Sequence, residues 1–160
     1  MRILFMMAVL GGLILATPGQ SYAQEERAGG AAISRIQPDK LAAILTAAGY
    51  PSEVQSDNSG SYVATTMSGF NAWVYPYDCK AQGCSSIQFW AAFGADASLT
   101  LEFVNAWNAQ WRFARANLDG EGNLIFTADV FLDGGVTAEN IKFNAGLFDY
   151  LLGELSQFNP

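Results

Sequence analysis

The sequence predicts an α+β domain, an antiparallel sheet flanked by helices in the order α-β-β-β-β-α-β-β-α. Three observations predict it. Three segments carry apolar residues at helical spacing, around Leu41, Trp107 and Phe148. Between them the pattern switches to period two, most clearly where Leu124, Phe126, Ala128, Val130 and Leu132 alternate with Ile125, Thr127, Asp129 and Phe131. Turn-forming clusters such as Asp57-Asn58-Ser59-Gly60 join the strand-like runs as hairpins, and strands joined in that way pair antiparallel.

The chain starts with Met1-Arg2 and an uncharged apolar run from Ile3 to Ala16, broken by Pro18-Gly19. That run matches a signal-peptide h-region and falls short of the ~18–20 residues of a membrane span. Ser21-Tyr22-Ala23 offers small residues where a signal peptidase reads, so residues 1–23 are expected to be removed after Ala23. The expected location is the periplasm, with no membrane span once the signal is cleaved. Residues 24–34, with Gly29-Gly30-Ala31-Ala32, read as a flexible leader, and residues 35–160 as a single domain.

The first helix opens at Pro38, where a missing N–H costs nothing. Leu41, Ile44, Leu45 and Ala48 form one stripe, and Gly49 and Pro51 end it. Strands follow at Glu53–Ser56, Ser61–Met67, Phe70–Tyr77 and Ser86–Phe93, with Pro76 marking a strand end or an edge position. Cys79 and Cys84 fall in the hairpin connection between the last two. Ser98 is placed as the cap of a second helix running to about Trp111, followed by strands at Phe113–Leu118 and Asn123–Leu132. Thr137 caps the last helix, with Glu139 in its first turn and Ile141, Ala145, Phe148, Leu152 and Leu155 as its apolar stripe.

Composition narrows the function. Without Arg2, seven basic residues face fifteen acidic ones. Nucleic acids and anionic lipids reward clustered Lys and Arg, so neither is an expected partner. Two cysteines in an exported chain most simply form a disulfide, Cys79–Cys84, whose short loop gives about 2 kcal/mol in the loop-entropy model. The C-x4-C spacing is not the C-x-x-C of redox motifs. The sequence has no His, which removes the usual base of a Ser or Cys nucleophile and a common zinc ligand. No P-loop or dinucleotide fingerprint is present, so no cofactor is expected. Asp119-Gly120-Glu121-Gly122-Asn123 has acids at alternate positions, but Leu124 stands where a calcium loop needs Gly and Val130 where it needs Glu. A hairpin loop is the better account. Glycoside hydrolysis by carboxylates alone would need two acids about 5–10 Å apart in a cleft. The expectation is a non-enzymatic protein.

The aromatic residues are the most suggestive. Trp73, Tyr75 and Tyr77 alternate along one face of their strand, and Trp90 lies on the next strand. Exposed, such a row could stack on sugars, clasp a peptide or join two copies of the chain. Covered by helices, it would be core, and Phe70, Ala72 and Val74 would face out. A small domain must bury most of its aromatics, which tips the reading toward core. Within Val104-Asn105-Ala106-Trp107-Asn108-Ala109-Gln110-Trp111, the two Trp read as anchors of the second helix. Asn105 and Asn108 are expected to bond backbone at the helix–strand junction, holding Arg112 and the next strand. Asp129 lies inside a patterned strand, and if buried it would need Arg112 or Arg115.

Val104-Asn105-Ala106-Trp107-Asn108, then Arg112-Phe113-Ala114-Arg115-Ala116 and Leu118-Asp119, resemble the YbjN-domain family. Asp129-Val130-Phe131-Leu132 before Gly134-Gly135-Val136-Thr137, and the helix from Leu41 to Gly49-Tyr50, extend the resemblance over nearly the whole mature chain. Cys79 and Cys84 before Ile87-Gln88-Phe89 look like its exported branch. The resemblance implies the fold of type III secretion chaperones, small α+β proteins that bind partners and often dimerise, and a sensory-transduction regulator's role. It carries over no catalytic set. The expected function is a periplasmic interaction or regulatory module with a chaperone-like hold on a protein or peptide, a homodimer being one form of partnership. The alternative is a carbohydrate or cell-wall-fragment binder using the aromatic row.

Overall fold

The computed structural model describes residues 30–159. The signal-peptide reading of residues 1–23 and most of the leader lie outside the described residues. The elements are α1 (Pro38–Ala47), β1 (Ser52–Asp57), β2 (Gly60–Met67), β3 (Phe70–Lys80), β4 (Gly83–Phe93), α2 (Leu101–Gln110), β5 (Arg115–Leu118), β6 (Leu124–Phe131) and α3 (Ala138–Ser156). The strands form one six-stranded antiparallel sheet in the order β1-β2-β3-β4-β6-β5. The order of helices and strands is the one the sequence predicts.

The helices pack on one face of this sheet. Val63, Val74, Ile87, Phe89 and Phe126 are fully buried there. Phe148 of α3 packs against Phe89 and Phe126, with ring centroids 5.4 and 5.3 Å apart, and Trp107 of α2 meets Phe126 edge-on at 5.4 Å. Leu41 and Leu45 bring α1 into the same cluster. The aromatic row lies on the opposite face, so the weighing toward core is corrected: Ala72 and Val74 are buried, and Trp73, Tyr75 and Trp90 are half-buried on the side without helices. Phe70 too sits on the helical side, part-exposed and packed against the core.

Several boundaries move. β3 and β4 run on past the predicted ends, so Cys79 and Cys84 face each other inside the ladder and form a disulfide. Pro76 lies within β3, opposite Ile87 of β4 but beyond Val74, the last residue paired with β2. There its missing N–H breaks no β2 bond. Thr100, not Ser98, caps α2, its hydroxyl accepting from the Phe103 N–H. Ser98 is held one turn earlier by the Asp96 carboxylate, which accepts from its N–H and its hydroxyl. Phe113 is not the start of a strand. Its φ of 74° is left-handed backbone and its ring is exposed, with the Arg112 guanidinium 4.7 Å from the ring centroid.

Residues on either side of Arg35 pair with the body of the fold. Ile33 bridges Val136, and Ile36 and Cys84 exchange two backbone hydrogen bonds of 2.9 Å each. Both isoleucines are buried, so this strap closes one end of the core. Gly83 makes room for it: its φ is +114°, and a Cβ there would stand 2.8 Å from the Ile36 backbone.

Candidate functional site

Side chains alternate across a strand, and the registers collect one set on the open face. Tyr62 and Ala64 of β2, Trp73, Tyr75 and Tyr77 of β3, Gln88 and Trp90 of β4, and Thr127, Asp129 and Phe131 of β6 lie there in cross-strand rows. Trp73 pairs directly with Trp90, their rings edge-to-face at 5.3 Å. Tyr75 meets Trp90 edge-on at 6.1 Å, and Tyr62 tilts against Tyr75 at 5.3 Å. Each such pair adds about 0.5–1.5 kcal/mol beyond area burial, so the rings hold one another in place with no helix above them. Tyr77 and Phe131 end the rows as exposed rings on either side of Ser86.

A groove of about 410 Å³ opens on this face where β2 and β3 part. Tyr62, Tyr75, Tyr77, Gln88 and Trp90 line it, with Pro76 and the β1–β2 hairpin tip at Asp57–Ser61. The Asp57 carboxylate shapes the tip by accepting the Ser59 N–H at 2.7 Å. Burial, more than the nearby Tyr62, Asp57 and Tyr77, raises the Tyr75 phenol above its ordinary value, so Tyr75 stays a neutral hydroxyl well into alkaline solution.

Of the predicted aromatic set, Tyr75, Tyr77 and Trp90 meet in the groove, and Trp73 stands beside it. Tyr62, Asp57 and Gln88 were missed. Tyr62 had a signal in the sequence, since it shares a face with Ala64 by alternation, but joining it to Tyr75 needs the β2–β3 register that the tight turn at Ser68-Gly69 sets.

The helix-centred residues have other surroundings. Trp107 is fully buried and stacks on Trp111 at 5.2 Å. Among the described residues neither indole N–H finds an acceptor. Asn108 clamps β5: its Nδ2 donates to the Ala116 carbonyl at 2.8 Å, and its Oδ1 accepts the Ala116 N–H at 2.9 Å. Asn105 departs from the expectation: it is exposed on the outer side of α2 and makes no such bond. Arg115 joins the open face, its Nε donating to Thr127 Oγ1 at 3.0 Å and its guanidinium lying 3.7 Å from Asp129. Asp129 is exposed and accepts from Gln88 Nε2 at 2.7 Å, so the buried carboxylate considered from sequence does not arise.

The acidic loop after β5 is closed on itself. The Asp119 carboxylate accepts from the N–H groups of Glu121 and Asn123 and from Asn123 Nδ2, which hold its pKa below the usual value, Asn123 first. Among the described residues no group of three His, Cys, Asp or Glu is placed to hold a metal ion. Nor is any helix among them long and apolar enough to cross a membrane.

Comparison with known proteins follows the fold. Residues 37–149 match the model of the YbjN family, described as "Putative bacterial sensory transduction regulator". No curated protein matches the chain in sequence. A crystal structure of YbjN from E. coli, "a putative transcription regulator", superposes with a TM-score of 0.61 at 16% identity, covering 78% of this chain and 91% of that one. The Yersinia pestis type III secretion chaperone SycH, solved in complex with a stable fragment of YscM2, superposes with a TM-score of 0.52 at 11% identity, covering 77% of this chain and all of that one.

Proposed function

The chain belongs to the YbjN family and has the chaperone-like fold, and on that premise we propose that it is a non-enzymatic periplasmic module that holds a protein or peptide partner against the open face of its sheet. The observation that carries the reading is the aromatic row of Trp73, Tyr75, Tyr77 and Trp90, assembled on the face without helices. Amphipathic rings with polar rims are the side chains that protein interfaces favour. The groove lining supplies one carboxylate, Asp57, where glycoside hydrolysis needs two. Support for a protein partner comes also from the SycH fold, seen there with a protein fragment. The signal-like N-terminus supports the periplasm.

A carbohydrate partner is the second reading. Trp73, Tyr75 and Trp90 could stack on sugar rings, but they are packed edge-to-face against one another, which leaves no flat platform of adjacent rings. A glycan array blank for the native chain removes that reading; binding lost in Trp73→Ala would establish it.

The protein reading is tested with photo-cross-linking residues placed at Tyr77, at Phe131 and, on the helical side, at Phe143. Fractionation should find the mature chain in the periplasm, and cross-linked protein should form from the first two positions and not from the third. Equal cross-linking from Phe143, or a chain retained in the cytoplasm, would overturn it. Light scattering at rising concentration shows whether the cross-linked partner is a second copy of the chain.

A further inference from the structure

The split between β2 and β3 presents several hydrogen-bond acceptors and a carboxylate beside its hydroxyls. Pairing of the two strands ends at Val63–Val74, and beyond it each strand is bonded only to its outer neighbour, β1 or β4. On the β3 side stands Pro76, which has a carbonyl and no N–H. The Tyr62 hydroxyl donates its proton to Gln55 Oε1, turning its oxygen lone pairs outward. Gln88 donates its amide nitrogen to Asp129, so the atom it offers the groove is the oxygen. Asp57 is the one formally charged residue in the lining, and no Lys or Arg is among the lining residues.

Acceptors, a carboxylate and aromatic faces together suit one kind of group. A guanidinium carries five N–H donors and no acceptor, lies flat against aromatic rings and keeps its charge at any physiological pH. Lysine brings the charge without the plane. The Tyr75 phenol is raised first by burial and then by Tyr62, Asp57 and Tyr77, so a further negative charge is disfavoured there.

We propose that this groove is a receptor for an arginine side chain carried by an extended basic segment of the partner, its guanidinium placed beside Tyr75 and paired with Asp57. The proposal rests on the reading of the open face as a protein-binding surface and names the chemistry of what binds. The acidic balance of the chain, fifteen acidic residues against eight basic, favours a partner segment of that sign.

The probe is a capped hexapeptide alternating Arg and Ala, with Lys and Glu counterparts of the same length, titrated into the mature chain while indole and backbone NMR signals are followed. The Arg peptide should shift the Trp90 indole and the Tyr62 and Tyr75 signals, binding about fivefold or more tightly than the Lys peptide. The Glu peptide should leave them unmoved. Asp57→Asn, which keeps an oxygen for the Ser59 N–H, should weaken the Arg peptide about fivefold at low salt, and the loss should shrink as salt is added. Tyr75→Phe should bind as the native chain does and Tyr75→Leu about fivefold or more weakly, with unchanged melting temperatures showing that the fold is intact. A Glu peptide bound as well as the Arg peptide, or an Asp57→Asn chain indistinguishable from native, would overturn the proposal. Shifts confined to Trp73 and Phe131 would overturn it too while leaving the open-face reading standing. No shift with any peptide, together with no cross-link from Tyr77, would remove both.

Discussion

The two faces of the sheet bury their side chains by different means. On the helical face, residues without polar atoms are sealed: Val74, Ile87, Phe89 and Phe126 have no exposed surface. On the open face, Tyr62, Trp73, Tyr75 and Trp90 stand half-buried and shield one another, with Gln88, Thr127 and Asp129 among them. The covered face owes its order to exclusion of water by three helices. The open face owes it to ring pairs that keep their polar rims wet. A face of the second kind can surrender its water to a partner without first unfolding anything, which is why the functional proposal rests there.

The comparison is broken most directly from the covered side. Phe89→Ala removes a ring enclosed by Phe148 and the neighbouring strands, and should cost about 3–5 kcal/mol in chemical denaturation. A cost under about 1 kcal/mol would mean that the helices do not seal this face. Next in size is the clamp on β5. Asn108→Ala strips both backbone partners from the buried Ala116 and should cost roughly 1–3 kcal/mol. Asn105→Ala, at an exposed site, should stay within about 0.5 kcal/mol. Equal losses at the two positions would show that the Asn-x-x-Asn pair acts as a unit rather than through Asn108 alone.

That pair also marks how far sequence could be read. Helical spacing brought Asn105 and Asn108 near each other, yet their directions differ by about a sixth of a turn, and only the path of β5 decides which of them meets backbone. The hairpin order, the helices and the cap at Thr137 were legible because each rests on local chemistry: turn residues, periodicity, a hydroxyl before a helix. Which face was covered was not settled by β3 alone, where both stripes are apolar. The deciding signal lay in the neighbours. β4 alternates Ile87, Phe89 and Ala91 with Ser86, Gln88 and Trp90, and β6 sets Thr127 and Asp129 opposite the latter group. A stripe that repeatedly carries polar atoms across strands is the wet one, but seeing it requires the cross-strand register, a long-range property. The groove was hidden for the same reason, because it comes from the point at which β2 and β3 stop pairing.

Trp90→Ala sharpens the contrast from the open side. It deletes the ring shared by the Trp73 and Tyr75 pairs, and should cost about 1–2 kcal/mol, well below Phe89→Ala, because water already reaches this face and no sealed cavity is left. A loss as large as that of Phe89→Ala would mean that the row is structural core in all but position, and the binding proposal would lose its foundation.

The smallest effect is the pH response of Tyr75, and its sign separates the two environments. The phenol is raised above its ordinary value of 10.0, first by burial and then by Tyr62, Asp57 and Tyr77. A raised folded pKa means that the folded chain holds this proton more tightly than the unfolded one. The resulting stability is complete below the unfolded value near 10 and fades as the pH rises through it toward the folded value. Native protein should therefore lose melting temperature between neutral pH and pH 10–11 slightly faster than Tyr75→Phe, which has no proton to lose and keeps the ring contacts. A filled groove changes the outcome. A guanidinium seated beside the phenol would favour its ionised form and draw the pKa back down, so saturation with the Arg peptide should bring the phenolate absorbance of Tyr75 to lower pH. An unmoved titration in the presence of bound peptide would place the peptide elsewhere on the open face, away from the split between β2 and β3.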